Sequence, residues 1–187
     1  MKKLSLFFVV LFLNGCISFA LVEPGKIDVG GNYSVSTSTT WSKYEVQQIQ
    51  VLTVDGPGLQ SVNISDGLSE GDFLFGGDGT DDQPPYKKGL TLPEIQEYLL
   101  NSLIAVGSEK VTFTEVRPDQ FGDWPGLRLE FSYYTEGGLA KRGIMIAAQN
   151  SGKLYSIIYL APSLHFYEKN KEDVEEIIRS ISTTKAS

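Results

Sequence analysis

The sequence predicts an α+β fold in which a mainly antiparallel sheet is flanked by helices. The first observation is the alternation of side chains over 127–134, because a period of two places one set on each face of a strand. The second is a turn signal between successive strand patterns, at 136–138 (Glu-Gly-Gly) and at 150–152 (Asn-Ser-Gly). The third is the helical spacing of apolar residues over 95–106 and 174–181.

The composition fits one globular domain that does not bind nucleic acid. The chain has 187 residues, of which 41% are hydrophobic, and this is enough to form a real core. Its net charge is -7, and removal of residues 1–15 would take away Lys2 and Lys3 and leave the remainder more acidic. Such a surface repels phosphate backbones, so no nucleic-acid partner is predicted.

The start of the chain predicts an export signal. Two lysines precede an apolar run over 4–13, which has the length of a signal-peptide core and is too short for a standard membrane span. Leu13-Asn14-Gly15-Cys16 follows at once and resembles the lipobox of bacterial lipoprotein signal peptides. The resemblance implies that residues 1–15 are removed and that Cys16 is acylated as the new N-terminus.

The residue after the cysteine bears on where such a protein would be located. Ile17 rather than aspartate follows Cys16, and in lipoproteins of this type that implies sorting to the outer membrane, with the domain in the periplasm or at the cell surface. Cys16 is the only cysteine, so no intramolecular disulfide is possible. An ordinary secretory signal with an incidental cysteine, cleaved near Ala20, is the alternative that these residues leave open.

The N-terminal half of the chain predicts, after the signal, a tether, three strands and a long loop. Residues 16–31 contain proline and glycine without periodicity and predict a tether. A first strand is predicted near 33–41, and a hairpin of 46–54 and 59–64 follows around an Asp-Gly-Pro-Gly turn. Residues 65–89 are rich in glycine and acidic residues and predict a loop that is either functional or mobile.

A first helix is predicted after this loop. Thr91 and Glu94 have the spacing of a capping box, and Gly107 has the position of a C-cap. A strand is then predicted over 110–116, and a connecting loop with two prolines is predicted over 117–126.

The last part of the chain predicts the central strand and a second helix. Residues 153–161 are apolar at nearly every position, so we expect a strand in the middle of the sheet, ended by Pro162. Asn170 is predicted to cap a helix whose apolar stripe over 174–181 faces the sheet. The domain is therefore predicted to span 32–183.

The chain also resembles a known group of folds. Its ending, GKLYSIIYLAPSLHFYEKNKEDVEEIIRSI, is similar to the C-terminal half of PsbP/Mog-type domains. The segments VLTVDGPGLQSVNISDGLSEGDFLF, DQFGDWPGLRLEF and RGIMIAAQNSGKLYSIIYLAP resemble bacterial envelope lipoproteins of unknown function. The resemblance implies an α/β/α sandwich and, because PsbP and Mog proteins are assembly or partner-binding factors, a binding role. It brings no catalytic motif with it.

One short motif suggests a serine hydrolase. Gly67-Leu68-Ser69-Glu70-Gly71 matches the nucleophile-elbow string, and the base would be His165, the only histidine, oriented by Asp119 or Asp123. The elbow requires a helix after the serine, whereas a glycine-rich stretch follows Ser69. A turn after a strand is the simpler interpretation, and serine hydrolysis is kept as an alternative.

A second motif suggests a calcium or small-ligand site in the 65–89 loop. Residues 76–81 match the start of the calcium-binding nonapeptide, and the oxygen ligands would come from Asp78, Asp81 and Asp82. That motif works by stacking repeats, and the chain has one copy, so the alternative is a solvated acidic loop.

Two aromatic residues form a further hypothesis. Trp124 and Tyr134 are predicted to line an exposed binding patch, although single exposed aromatic residues are normal. One histidine, one cysteine and no phosphate loop predict no zinc or cofactor site. The sequence as a whole favours a membrane-anchored, non-catalytic envelope lipoprotein that binds a protein partner, with the hydrolase and the calcium or ligand binder as alternatives.

Overall fold

An eight-stranded antiparallel sheet forms the centre of the fold in the computed structural model, which describes residues 19–77 and 82–184. Its strands are β1 (Ala20–Val22), β4 (Trp41–Val46), β5 (Ile49–Thr53), β6 (Ser61–Ser65), β7 (Ser108–Phe121), β8 (Trp124–Thr135), β9 (Ala140–Asn150) and β10 (Lys153–Pro162). They lie in the order β1-β4-β5-β6-β10-β9-β8-β7. A smaller sheet has the order β11-β3-β2 and consists of β2 (Gly25–Val29), β3 (Tyr33–Thr37) and β11 (Ser182–Thr183). The helices are α1 (Leu92–Ala105) and α2 (Phe166–Arg179).

Each face of the large sheet is covered by one hydrophobic core. On one face, α2 and the small sheet enclose a core that includes Trp41, Ile157 and Ile177. On the other face, α1 and the segment before it enclose a core that includes Leu99 and Ile158. The predicted fold, a mainly antiparallel sheet between helices, is therefore confirmed.

Strand β10 lies in the middle of the sheet, between β6 and β9. Most of its residues are buried, with Lys153 the exposed exception at its start, because both faces of this strand are covered. Pro162 is its last residue and cannot donate to a further ladder bond. The central position predicted from the apolar run is confirmed.

The tether predicted over 16–31 is wrong from Ala20 onward. β1 pairs with β4, and β2 pairs with β3, so the chain is part of both sheets here. Ile27 and Val29 are buried in the core because β2 alternates core and solvent residues. The prediction failed because prolines and glycines at the turns hid this short alternation. Residues 1–15, predicted as the signal peptide, and Cys16 lie outside the described part.

The loop predicted over 117–126 is instead the tip of a long hairpin. β7 runs to Phe121 and β8 starts at Trp124, so the turn consists of Gly122 and Asp123. Gly122 has φ +60, which glycine adopts without strain. Pro118 is tolerated in β7 because this strand is at the sheet edge.

The predicted start is confirmed for α1 and is wrong for α2. The capping box of α1 is confirmed, because the Glu94 carboxylate accepts hydrogen bonds from the backbone N–H and the hydroxyl of Thr91. The start of α2 was predicted at Asn170 and is wrong, since the helix begins at Phe166 after His165. Asn170 lies within the helix, where it is buried.

The segment before α1, residues 68–77 and 82–90, packs over the sheet rather than extending as a solvated loop, and we call it the cover segment. Leu68, Leu74 and Tyr86 are fully buried, and the Leu68 backbone exchanges two hydrogen bonds with Leu154. The Gln149 side chain accepts hydrogen bonds from the Tyr86 hydroxyl (2.9 Å) and from backbone N–H groups of residues 89 and 90, and its amide nitrogen donates to the backbone carbonyl of residue 90. These bonds fix the cover to β9.

In the described part of the chain, neither helix has the length and apolar character needed to cross a bilayer.

Candidate functional site

Several connections of the fold meet at one end of the large sheet. The register places the end of β5, the start of β6, the end of β10, the start of β9, the end of β8 and the start of β7 together. Two contacts link these elements there: the Ser163 N–H, just after β10, donates to the carbonyl of Ala140 at the start of β9 (2.9 Å), and Lys169 Nζ, in the first turn of α2, lies 2.7 Å from Oδ1 of Asp55 in the β5–β6 connection. The connections before β6, β7 and β9 and after β10 therefore lie at the same end of the sheet.

That surface carries exposed apolar side chains from all of these connections. We call it the apolar end, and it consists of Val54, Leu59, Ile104, Val106, Tyr134, Leu139 and Leu164. Leu164 is 87% exposed, the highest fraction among the large hydrophobic side chains that the structure describes as exposed. Single exposed apolar residues are normal on a protein surface, but several of them at one end of a sheet make that end a candidate interaction site.

A strained turn presents Leu164 to the solvent. His165 has φ 70 and ψ -62, and the Phe166 N–H donates to the Leu164 carbonyl at 2.9 Å. This is the geometry of a classic γ-turn, which is rare and strained for a residue other than glycine. The turn is held in place because Phe166 packs against the core.

An apolar pocket of about 620 Å³ lies beside these residues, under the last turn of α1. Leu103 and Val106 form its α1 side, Tyr133 and Leu160 come from the sheet, and Phe75 comes from the cover segment. Gly107 ends α1 with φ +82, and Glu136 packs against it. The pocket therefore extends the apolar end inward.

Lys141 gives this pocket a charged group. Burial lowers the pKa of its ammonium, and burial raises the pKa of the neighbouring Tyr133 hydroxyl to about 12. In the described part of the chain, the Lys141 ammonium has no ion pair or hydrogen bond. Glu136 lines the same pocket, so a bound group would meet one cation and one carboxylate among apolar walls.

A second cleft, of about 520 Å³, lies at the opposite end of the sheet, between α2, β11 and the β7–β8 turn. Its cations already have partners: Arg117 pairs with Asp119, Arg128 with Glu175, and Arg179 with Glu172. We therefore assign this cleft a structural role, and we regard the apolar end as the stronger candidate for a functional site.

The residues of the predicted hydrolase lie apart. Leu68 is hydrogen-bonded to Leu154 at the start of β10, which places Ser69 at that end of the sheet, whereas His165 follows Pro162 at the other. Eight residues of strand separate Leu154 from Pro162, which is roughly 26 Å. Asp119 and Asp123 lie at the β7–β8 turn, also far from His165. No Ser-His-Asp arrangement forms among these residues.

The predicted calcium ligands are only partly described. Asp78 and Asp81 lie outside the described residues, and Asp82 is exposed. Within residues 19–77 and 82–184, no group of three or more histidine, cysteine or acidic side chains is arranged to hold a metal ion. The calcium site stays a prediction.

The predicted aromatic patch is divided between the two ends of β8. Trp124 starts the strand and Tyr134 lies near its end, roughly 33 Å apart at the rise of a strand. Trp124 packs between Phe121 and Tyr155, with ring centroids 6.0 and 4.7 Å away, so it is half-buried against the core. Tyr134 belongs to the apolar end, with Lys110 Nζ 5.6 Å from its ring.

Comparisons with known proteins support the fold. No protein-family profile and no curated sequence matches the chain. The solution structure of cyanobacterial PsbP (CyanoP) from Synechocystis is 13% identical, with a TM-score of 0.52 over 94% of this chain and 98% of that one. A crystal structure from Bacteroides thetaiotaomicron is also 13% identical, with a TM-score of 0.51 over 88% of this chain, which spans about half the length (50%) of that protein.

A looser likeness, with a TM-score of 0.42 and 7% identity, is to LpqN, involved in cell envelope biogenesis of Mycobacterium tuberculosis, and it covers 92% of this chain and 87% of that one. The likeness to CyanoP makes the fold PsbP-like, and at 13% identity that likeness extends to the fold alone.

Proposed function

We propose that this protein is a lipid-anchored envelope protein whose domain binds a protein partner at the apolar end, without catalysing a reaction. The observation that carries the proposal is the strained γ-turn that holds Leu164 almost fully exposed. Both the strain and the exposure cost free energy of folding, and strain of this kind clusters at functional sites. A partner that covers Leu164 would recover the cost of its exposure.

The residues around Leu164 support a partner that has both apolar and acidic side chains. The apolar end provides a hydrophobic centre, and hydrophobic centres with aromatic residues are typical of the buried part of interfaces. The half-buried Lys141 ammonium would gain from a carboxylate on the partner, since burial already disfavours its charge. We therefore expect a partner segment with an apolar side chain for the pocket and an acidic group nearby.

Membrane attachment is the other half of the proposal and rests on the lipobox-like Leu13-Asn14-Gly15-Cys16. Cys16→Ser removes the thiol that would carry the acyl chain, so we expect the protein to move from the membrane fraction to the soluble fraction. The measurement is membrane fractionation of intact cells followed by detection of a C-terminal tag. Retention of the Cys16→Ser variant in membranes would contradict the anchor.

The binding half is tested by a crosslinked pull-down of tagged full-length protein from intact cells. We expect one abundant envelope partner with the unaltered protein, and its yield should fall at least about tenfold with Leu164→Ser, because hot spots contribute roughly 2 kcal/mol or more. Val116→Ser is the matched control, since Val116 is 46% exposed on the edge strand β7, away from the apolar end. Equal yields from both variants would contradict docking at the apolar end.

A further inference from the structure

We propose that a lipid bilayer lies against the β1 edge of the large sheet. The contact would be made by the β1 strip, which consists of Phe19, Leu21 and Tyr44. This inference rests on the proposed acylation of Cys16 and adds to it an orientation of the domain that acylation alone does not give. The occupant is a membrane surface rather than a second protein, for reasons of chain length and chemistry.

Chain length is the first reason. Cys16 and Phe19 are three residues apart, so their Cα atoms are at most about 11 Å apart even in a fully extended chain. β1 follows at once and belongs to the sheet, because Ala20 pairs with Lys43 and Val22 pairs with Trp41. An acyl chain on Cys16 would therefore hold this edge at the headgroup region.

The side chains of the strip are the second reason. Phe19 and Leu21 are 50% and 67% exposed. Strand alternation places them on one face, with Val22 turned to the core on the other. The Phe19 ring meets the Tyr44 ring edge-on at a centroid distance of 5.3 Å. Aromatic and aliphatic side chains beside a lipid anchor suit the membrane interface, where tyrosine is enriched.

The charges at the β1 edge favour a contact with the bilayer that is apolar rather than electrostatic. Lys43 is paired with Glu45 at 2.9 Å, and Glu23, between β1 and β2, is balanced in charge by Lys26 at the start of β2. Attraction to anionic lipid requires an excess of basic residues, which this edge does not provide. We therefore expect contact with neutral and anionic bilayers alike.

The sheet then determines which surfaces remain free. β7 is at the far edge, seven strand spacings from β1, or roughly 34 Å away. With β1 at the membrane, the apolar end would face sideways along the bilayer, in reach of a neighbouring membrane protein.

The test places one fluorescent label at a time on the acylated full-length protein. Acylation occupies Cys16, the only cysteine, so Leu21→Cys provides a single free thiol for a polarity-sensitive dye. Val116→Cys on β7 is the control, and Ser42→Cys, paired with Leu21, is a second site on the β1 edge that keeps the strip intact. The proteins are reconstituted in phosphatidylcholine vesicles that carry a quencher on the acyl chains.

We expect quenching at positions 21 and 42 to exceed that at 116 by at least about threefold, because interfacial side chains lie at the headgroup–acyl boundary. Addition of phosphatidylglycerol should leave the ratio unchanged. Equal quenching at all positions, or quenching that needs anionic lipid, would overturn the apolar contact while leaving the anchor intact, provided that the protein still floats with the vesicles. A mass spectrum without acyl chains on Cys16, or failure to float, would overturn both.

Discussion

At the scale of single residues, the γ-turn at His165 makes a direct prediction. Glycine adopts φ 70 without a Cβ clash, so His165→Gly should relieve strain and stabilise the domain by about 1 kcal/mol, less the entropy that glycine gains in the unfolded chain. Chemical denaturation measures the change. His165→Ala, which keeps the strain, is the control, and equal stability of the two variants would contradict a strained turn.

A second residue-scale feature is the ion-pair cluster between α2 and the sheet. Arg128 donates to both carboxylate oxygens of Glu175, at 3.0 and 2.6 Å, and to Glu130 at 2.8 Å. Burial opposes its charge, but the two carboxylates outweigh burial and raise the pKa of Arg128 above its usual value. The cluster therefore fixes α2 over β8.

Arg128→Met should destabilise the domain by about 3–5 kcal/mol, because it leaves the two partly buried carboxylates without their cation. Arg179→Met is the matched control: its pair with Glu172 is exposed and screened by solvent, so its loss should change the stability little. Urea unfolding of both variants measures the difference. Similar small losses for the two arginines would show that the cluster is not stabilising.

The same cluster predicts a dependence of stability on acid. Burial would raise the pKa of Glu130, but the hydrogen bond and charge of Arg128 lower it below the usual value overall. A carboxyl whose folded pKa is lowered stabilises the protein above its unfolded pKa, near 4.5, and loses this contribution as the pH falls. Melting temperatures between pH 7 and pH 3 should therefore fall more steeply for the unaltered protein than for Glu130→Gln. Melting temperatures that fall in parallel for the two proteins would contradict a contribution of the ionised Glu130 to stability.

At the scale of elements, the cover segment before α1 depends on Gln149. Gln149→Leu keeps a similar volume but removes the bonds to Tyr86 and to residues 89 and 90, so we expect a loss of about 1–3 kcal/mol and faster local opening. Hydrogen exchange of residues 68–90 measures the opening. Gln120→Leu, at an exposed position on β7, is the control. Unchanged hydrogen exchange in Gln149→Leu would contradict the role of Gln149 in holding the cover segment on the sheet.

The sequence predicted the elements that have two covered faces or a local start signal. β10 was found from its apolar run, and α1 was found from its capping box. The tip of the β7–β8 hairpin was missed because an edge strand has one solvated face and few apolar residues, so prolines and charges made it look like a loop. The start of α2 was missed because the helix follows a γ-turn at His165. The side chain of His165 makes no capping hydrogen bond, so the sequence carries no N-cap pattern at that position.

At the scale of the whole molecule, the apolar end could not be predicted from the sequence. Its residues come from separate connections, and each one alone is an ordinary exposed apolar side chain. Only the strand register brings them together. Tyr134 was predicted as a binding residue, but its predicted neighbour Trp124 lies at the other end of β8, half-buried against the core.

The most direct test of the central claim uses a photo-crosslinking amino acid at single positions in intact cells. We expect Leu164 and Val106 positions to give the same discrete adduct with an envelope protein, and the Val116 position to give none, because the two valines are similarly exposed (43% and 46%) but only Val106 is in the apolar end. An adduct of equal strength at Val116, or adducts at neither position of the apolar end, would contradict the account.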